Sequence, residues 1–210
     1  MGTEIALLFG AVRYPAWDFL NPLRGCCTVI CADGGMQCAR EAGFVPQLYI
    51  GDSDSGGQPE AGVESVLLKP EKDLTDLQAA YEQARDRGFR RVILTACTGG
   101  REDHHLANLQ LLETAHDDGI AMEIWDPWNK VHYLRGGEMT LQCQEFRYFS
   151  IIPMDRMLEH VEIFHAKYPL NVPAVTRGDS LTVSNEALNG TALVRIGKGA
   201  AWIILSERIS

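Results

Sequence analysis

The sequence predicts an α/β N-terminal domain with a mainly parallel sheet, followed by an all-β sandwich C-terminal domain. Three observations carry that expectation. Up to about Trp125, short apolar runs alternate with segments of helical period. Beyond Pro127 the helical period disappears, and short strand-like runs follow one another with Gly, Pro and Asn between them. The chain has 210 residues, enough for one large domain or two small ones that each bury a core. The boundary is expected near residues 127–136, giving domains over 1–130 and 131–210.

The elements follow in order. Residues 5–9 and 28–32 are short apolar runs, as suits strands buried on both faces. Residues 36–42 fit a short helix stopped by Gly43. Residues 48–50 and 63–68 read as two more strands. Leu74, Leu77, Tyr81 and Ala84 recur at helical spacing, so residues 74–87 predict an amphipathic helix ending at Gly88. Residues 91–96 form the next strand, Leu106, Leu109 and Leu112 mark a second long helix ending before Gly119, and residues 122–125 close the series. Such alternation implies a parallel sheet with helices on its faces. In the second half, strands are expected at 131–134, 138–143, 148–152, 161–165, 180–183, 192–196 and 201–205, the pattern of an all-β sandwich. The segment 13–24, with two prolines and Trp17, fits neither pattern and is expected to be an irregular lid or a packing element.

Composition narrows the function classes. A hydrophobic fraction of 46% and a charged fraction of 22% are those of an ordinary globular protein, so disorder is not expected. The net charge is −9 and no basic stripe is visible, which argues against a nucleic-acid partner. No apolar run reaches the roughly 20 residues needed to span a bilayer. A basic stretch followed by an apolar core is missing at the N-terminus, and Ala6 breaks the myristoylation pattern after Gly2. A cytoplasmic protein with no membrane partner is expected. Of the six cysteines, Cys26, Cys27, Cys31 and Cys38 lie close together, but no pair has the two-residue gap of a zinc knuckle; buried reduced thiols are expected.

The acidic residues are the informative feature. Asp33 follows the strand at 28–32 and precedes Gly34 and Gly35. Asp52 and Asp54 follow the strand at 48–50, Asp73 and Asp76 stand at the start of the helix from Leu74, and Asp103 follows the strand at 91–96. Ligands of open parallel sheets bind outside the carboxyl ends of the strands. Several segments therefore bring carboxylates to one edge, where they repel each other unless a cation sits among them. Hard oxygen donors suit Mg²⁺, which takes one or two carboxylates, waters and substrate phosphates. Gly34, Gly35, Gly99 and Gly100 let backbone N–H groups approach phosphate, and Lys72 and Arg101 can offset charge on phosphoryl oxygens. Together these parts describe a Mg-nucleotide site. Each member also has a plainer reading: an Asp after a strand forms turns or caps helices, Asp73 could cap the helix, Asp76 could serve its dipole, and His104 and His105 could simply start one. The chain has no GxxxxGK[ST] run and no GxSxG elbow, which disfavours a P-loop kinase and a serine hydrolase.

These segments carry a family resemblance. Asp33-Gly34-Gly35, Gly51-Asp52-Ser53-Asp54-Ser55, Glu71-Lys72-Asp73-Leu74-Thr75-Asp76 and Gly99-Gly100-Arg101-Glu102-Asp103-His104, with Ala107-Asn108 beyond, resemble the successive motifs of the thiamine pyrophosphokinase family in order and spacing. Leu181-Thr182-Val183-Ser184-Asn185-Glu186 resembles that family's Ser-Asn-Glu segment. The resemblance implies transfer of the pyrophosphoryl group of ATP to the hydroxyl of thiamine, giving thiamine diphosphate and AMP, with Mg²⁺ as cofactor. It implies an α/β ATP-binding domain, a β-sandwich thiamine-binding domain, and a homodimer with active sites at the subunit interface. By position it makes Asp52, Asp54 and Asp76 the metal and pyrophosphate group, with Asp33 and Asp73 close by. It puts Gly34, Gly35, Lys72, Thr75, Gly100, Arg101, Asp103, His104 and Asn108 on the nucleotide side. Catalysis would fall to Asp54, Asp73, Asp76, Lys72 and Arg101. Asp52, Ser184 and Asn185 would reach thiamine, and Trp202 would offer an aromatic face to its rings unless it packs in the core. Met36-Gln37 stand where the family commonly has Ala-Asn. Three other readings remain open: a pterin alcohol as acceptor, a binding module without turnover, and a metal-dependent phosphatase.

Overall fold

The structure is a computed structural model that describes residues 4–51, 62–68 and 74–208. The chain is a sheet-dominated α/β protein whose contacts divide it into two units, Met1–Pro127 and Trp128–Ser210.

The first unit contains strands β1 (Ile5–Phe9), β2 (Cys27–Ala32), β3 (Leu48–Gly51), β4 (Glu64–Leu67), β5 (Arg91–Thr95) and β6 (Ala121–Trp125). Its helices are α1 (Gly35–Glu41), α2 (Asp76–Asp86) and α3 (Glu102–Asp117), and a 3₁₀ helix spans Asp18–Leu23. The strands lie in the order β4-β3-β2-β1-β5-β6, and every pairing is parallel. Alternation along β1 explains why the run is apolar throughout. Ile5, Leu7 and Phe9 face a core shared with Val29, Cys31, Met36 and Ala39 and with Phe19, Leu20 and Leu23 of the 3₁₀ helix. Ala6 and Leu8 point to the opposite face and are fully buried too. On α2 the buried residues are Leu77, Ala79, Ala80, Tyr81 and Ala84, on a helix that packs on β1, β2 and β3. Thr75 caps it, its Oγ1 accepting the Gln78 N–H at 3.2 Å, so the helix starts at Asp76 rather than at Leu74 as the apolar period suggested.

The segment 13–24 is a packing element. The rings of Tyr14 and Trp17 lie 5.2 Å apart, and Trp17 also meets Phe9 and Phe19. The chain enters the sheet at β1, walks outward to β4, then returns to the other side of β1 with β5. The connections that follow β1 and β5 thus leave in opposite directions, which opens a crevice at the carboxyl ends of these neighbouring strands.

The second unit consists of β7 (Asn129–Gln142), β8 (Phe146–Pro153), β9 (Met157–Phe164), β10 (Leu170–Thr176) and β11 (Thr191–Arg208). All pairings among them are antiparallel. Strand β11 pairs with β7 along nearly its whole length, with β9 through its first half and with β8 through its second. A core of Leu134, Leu141, Phe149, Ile151, Leu158, Val161, Val194 and Ile203 lies inside this arrangement.

Three strand expectations need correcting here. The runs at 131–134 and 138–143 are one strand, as are those at 192–196 and 201–205. Glycine breaks had suggested separate strands, but Gly136 (φ 60°), Gly137 (φ 82°) and Gly199 (φ 104°) bend β7 and β11 without ending them. Residues 180–183 form a turn, not a strand. Leu181 and Val183 there are exposed, and it is Thr182 that is fully buried, its Oγ1 donating to the Ile151 carbonyl at 2.7 Å. Strand β10 was not expected, since Pro173 interrupts its pattern; it is an edge strand paired only with β9, where a missing N–H is tolerated.

All six cysteines are free thiols, and among the described residues no group of three His, Cys, Asp or Glu side chains could hold a metal ion. Four of the thiols are buried as expected, whereas Cys27 is half-buried and Cys26 exposed. No helix among the described residues is long and apolar enough to cross a membrane.

Candidate active site

A cavity of about 260 Å³ occupies the crevice between β1 and β5. Gly10, Ala11 and Val12 come to it from the end of β1, and Ala32 and Asp33 from the end of β2. Thr75, Asp76 and Leu77 come from the start of α2; Ala96, Cys97, Gly99 and Arg101 from the loop after β5; His104 and Asn108 from α3. Seven residues expected from the sequence therefore line one cavity: Asp33, Thr75, Asp76, Gly99, Arg101, His104 and Asn108. Asp52, Asp54, Lys72 and Asp73 lie outside the described residues. Gly34 and Gly35 follow Asp33 directly, and Gly100 and Asp103 sit on the loop and first turn that carry Arg101.

The crevice walls are backbone held in uncommon conformations. Asp33 (φ 44°) and Ala96 (φ 55°) both adopt the left-handed region just past their strands. Aspartate tolerates this through its short polar side chain, whereas for Ala96 the strain is of order 1–3 kcal/mol. Hydrogen bonds fix both turns: the Asp33 N–H donates to the Ile50 carbonyl at 2.8 Å, and the Ala96 carbonyl accepts from Val12 N–H at 2.9 Å. Gly99 (φ 79°) and Gly100 (φ 72°) continue the left-handed path of the β5–α3 loop.

Close approach explains two other glycines. A Cβ on Gly35 would lie 2.2 Å from the Phe9 carbonyl oxygen, and one on Gly10 would lie 2.5 Å from that of Ala96. The requirement at Gly35 is thus packing of α1 against β1. Sequence reasoning missed Gly10, Ala11 and Val12, although a glycine ending the first apolar run at the same sheet edge was a usable signal. Leu77, Ala96 and Cys97 were missed because nothing in their residue types marks them.

The polar side chains have defined partners. Asn108 is buried and its Nδ2 donates to the Cys97 carbonyl at 2.9 Å, tying α3 to the loop after β5. Burial and the nearby Asp126 charge push the Cys97 thiol far above its ordinary range, so it is no nucleophile. Arg101 pairs with Asp103 through two hydrogen bonds, Nε to Oδ1 at 3.1 Å and Nη2 to Oδ2 at 2.6 Å. The Arg101 guanidinium, with help from the His104 N–H at 2.9 Å, holds the Asp103 carboxyl down to about 2. Both side chains are well exposed, 72% and 65%, so the pair is weak enough for Arg101 to exchange its partner for a ligand anion.

In the second unit Asn185 is buried, and its side chain is committed to backbone. Its Oδ1 accepts from Tyr168 N–H at 3.1 Å and Glu186 N–H at 2.9 Å, and its Nδ2 donates to the Tyr168 carbonyl at 2.7 Å. Ser184 has φ 60°, and its N–H donates to Ser150 Oγ at 3.0 Å. Trp202 is half-buried and lies opposite Tyr133 and Ile152 in the ladders, on the face away from the core residues Ala201 and Ile203.

A glycine-walled, carboxylate- and arginine-bearing crevice at the switch point of a parallel sheet defines a class: an α/β protein that takes a small ligand at the carboxyl edge of its strands. The comparisons narrow this. The profile described as thiamin pyrophosphokinase, catalytic domain, matches residues 19–124, and that described as thiamin pyrophosphokinase, vitamin B1 binding domain, matches residues 138–199. The thiamine pyrophosphokinase of Bacillus subtilis (strain 168) is 31% identical over 181 residues, 83% of this chain and 85% of that protein. A crystal structure of thiamine pyrophosphokinase from Bacillus subtilis has a TM-score of 0.87 at 28% identity, covering 98% of this chain and all of that one. That of Geobacillus thermodenitrificans has a TM-score of 0.84 at 27% identity, with 99% of each chain covered. The Candida albicans enzyme, at 13% identity, shares the fold with a TM-score of 0.78. The chain belongs to the thiamin pyrophosphokinase family.

Proposed function

We propose that the protein is a thiamine pyrophosphokinase that moves the pyrophosphoryl group of ATP to the hydroxyl of thiamine, releasing AMP and thiamine diphosphate. The observation that carries this reading is the meeting of Asp33, Asp76, Arg101 and the Gly99-Gly100 turn in one crevice, in a chain whose family is thiamin pyrophosphokinase. Residues Met1–Pro127 form the α/β ATP-binding domain, and the following unit is a β-sandwich that binds thiamine.

The donor set fits Mg²⁺: Asp33 and Asp76 bring two carboxylates to one cavity, and Mg²⁺ takes one or two carboxylates together with waters and substrate phosphates. Asp52 and Asp54 complete the carboxylate group in this reading. When bound, the ion neutralises charge on the phosphate oxygens.

The chain's own groups do the rest. The thiamine hydroxyl oxygen forms a bond to the β-phosphorus while the bond from that phosphorus to the α,β-bridging oxygen breaks, and AMP leaves with that oxygen. The hydroxyl proton passes to a carboxylate, which in this reading is that of Asp76, a residue lining the crevice at the start of α2. Arg101 releases Asp103 and, with Lys72, offsets charge on the transferring oxygens, while the N–H groups of the Gly99-Gly100 turn approach the phosphates. Gly34 and Gly35 bring backbone to the same side, and Thr75, His104 and Asn108 shape the nucleotide side. In this reading Asp73, which lies outside the described residues, serves the same group. Ser184 and Trp202 contact thiamine, and Asn185 acts by fixing the loop that presents Ser184. The active assembly is a homodimer with its sites at the subunit interface.

Incubating the protein with ATP, thiamine and Mg²⁺ tests the reading. AMP and thiamine diphosphate are expected in equal amounts, with turnover lost on chelation and regained on adding Mg²⁺. Inorganic phosphate release from ATP without thiamine would contradict it and favour a phosphatase.

A further inference from the structure

The loop that forms one wall of the crevice rests on a side chain from the segment that the sequence left without a role. Tyr14 stands ahead of the 3₁₀ helix, buried, and its hydroxyl reaches across to the end of β5. It accepts the N–H of Cys97 at 3.2 Å and the N–H of Thr98 at 3.1 Å. It also lies 2.7 Å from Thr98 Oγ1. Thr98 Oγ1 in turn lies 2.9 Å from Asp126 Oδ2, just past the end of β6.

Proton counting gives this chain one direction. The two amides fill the lone pairs of the Tyr14 oxygen, so its own proton goes to Thr98 Oγ1, and the Thr98 proton goes to the carboxylate of Asp126. Burial and the neighbouring Cys97 and Asp126 push the phenol well above its ordinary range, so the proton stays on it at any working pH. All three residues are buried: Tyr14 and Thr98 are 8% exposed and Asp126 3%.

We infer that Tyr14 is a positioning residue: through Thr98 and Asp126 its hydroxyl sets the path of residues 96–101, and so the presentation of Gly99, Gly100 and Arg101 to the phosphates of a nucleotide. The inference rests on the ATP reading for the identity of that ligand. The ring alone does not account for the arrangement, because its packing on Trp17 at 5.2 Å and Phe19 at 6.1 Å would be served by phenylalanine. What the hydroxyl adds is a partner for two consecutive amides directly after Ala96, whose left-handed backbone persists only where its surroundings over-determine it. The same hydroxyl connects the β5–α3 loop to the end of β6 through Asp126.

Tyr14→Phe in the full-length protein tests this with two readouts. Hydrogen exchange at the Cys97 and Thr98 amides should accelerate about 10-fold or more, with β1 and β2 amides unchanged, because two buried donors lose their acceptor. Affinity for Mg-ATP, measured by calorimetry, should fall about 10-fold, while thiamine affinity holds within about twofold. Thr98→Val, which removes the hydroxyl between Tyr14 and Asp126 but leaves the Tyr14 oxygen to the two amides, should lower Mg-ATP affinity in the same direction with a smaller change in exchange, and Thr98→Ser should behave as the wild type, which keeps the test readable if Tyr14→Phe does not fold. Unchanged exchange at residues 97 and 98, unchanged Mg-ATP affinity, or equal losses for ATP and thiamine would each overturn the role of Tyr14. A wild-type protein that binds no Mg-ATP would overturn the proposed activity as well.

Discussion

The Arg101–Asp103 pair carries the clearest electrostatic signature among the described residues of the crevice. Its carboxyl titrates near 2 in the folded chain, below the ordinary aspartate value of about 3.9. A depressed carboxyl contributes above its unfolded value and loses that contribution as pH falls through its folded value, so the pair should persist down to about pH 2. Carbon NMR of the Asp103 carboxyl should give a midpoint near 2, rising to the ordinary range in Arg101→Gln; an ordinary midpoint in the wild type would refute the pairing. Asn185 makes a different case. From the sequence it was a thiamine contact by resemblance, but its three side-chain hydrogen bonds all go to backbone. Asn185→Ala should lower the unfolding free energy by about 1–3 kcal/mol in chemical denaturation, since it removes three part-buried hydrogen bonds to the backbone of Tyr168 and Glu186. A loss under about 0.5 kcal/mol would show that the turn holds without it.

At the scale of elements, two glycines of the site region are required for opposite reasons. Gly35 has no room, with the Phe9 carbonyl 2.2 Å from where a Cβ would stand, whereas Gly99 has nothing within 4 Å but a φ of 79°. Gly35→Ala should therefore displace α1 and cost about 3 kcal/mol, and Gly99→Ala about 1 kcal/mol of backbone strain, both read from denaturation midpoints. Equal small losses would contradict the packing account of Gly35. The parallel half was legible from the sequence because the doubly buried strand β1 and residues 29–32 of β2 are apolar throughout and α2 keeps its helical period. The second half was legible only in part. Glycines at 136, 137, 197 and 199 read as strand ends because sequence does not distinguish a bend within a strand from its termination. The turn at 180–183 was misread since alternation counts Leu181 and Val183 as inward, when the buried member is Thr182, chosen for its hydrogen bond to Ile151. Tyr14 was not legible at all: its partners lie more than eighty positions away, at residues 97 and 98.

For the molecule as a whole, the site was legible to the extent that it depended on where strands end. Aspartates and glycines placed after strands converge once the strands run parallel, and Asp33, Asp76 and Arg101 do share a cavity. The net charge of −9 suits a cationic acceptor such as thiamine, since an acidic surface attracts it. The central claim is that this crevice passes two phosphates together to one alcohol. Mass analysis of thiamine over a time course with ATP and Mg²⁺ tests it most directly. Thiamine diphosphate should rise from the first sample with no monophosphate preceding it. Accumulation of thiamine monophosphate, or thiamine left unmodified while ATP is consumed, would contradict the account.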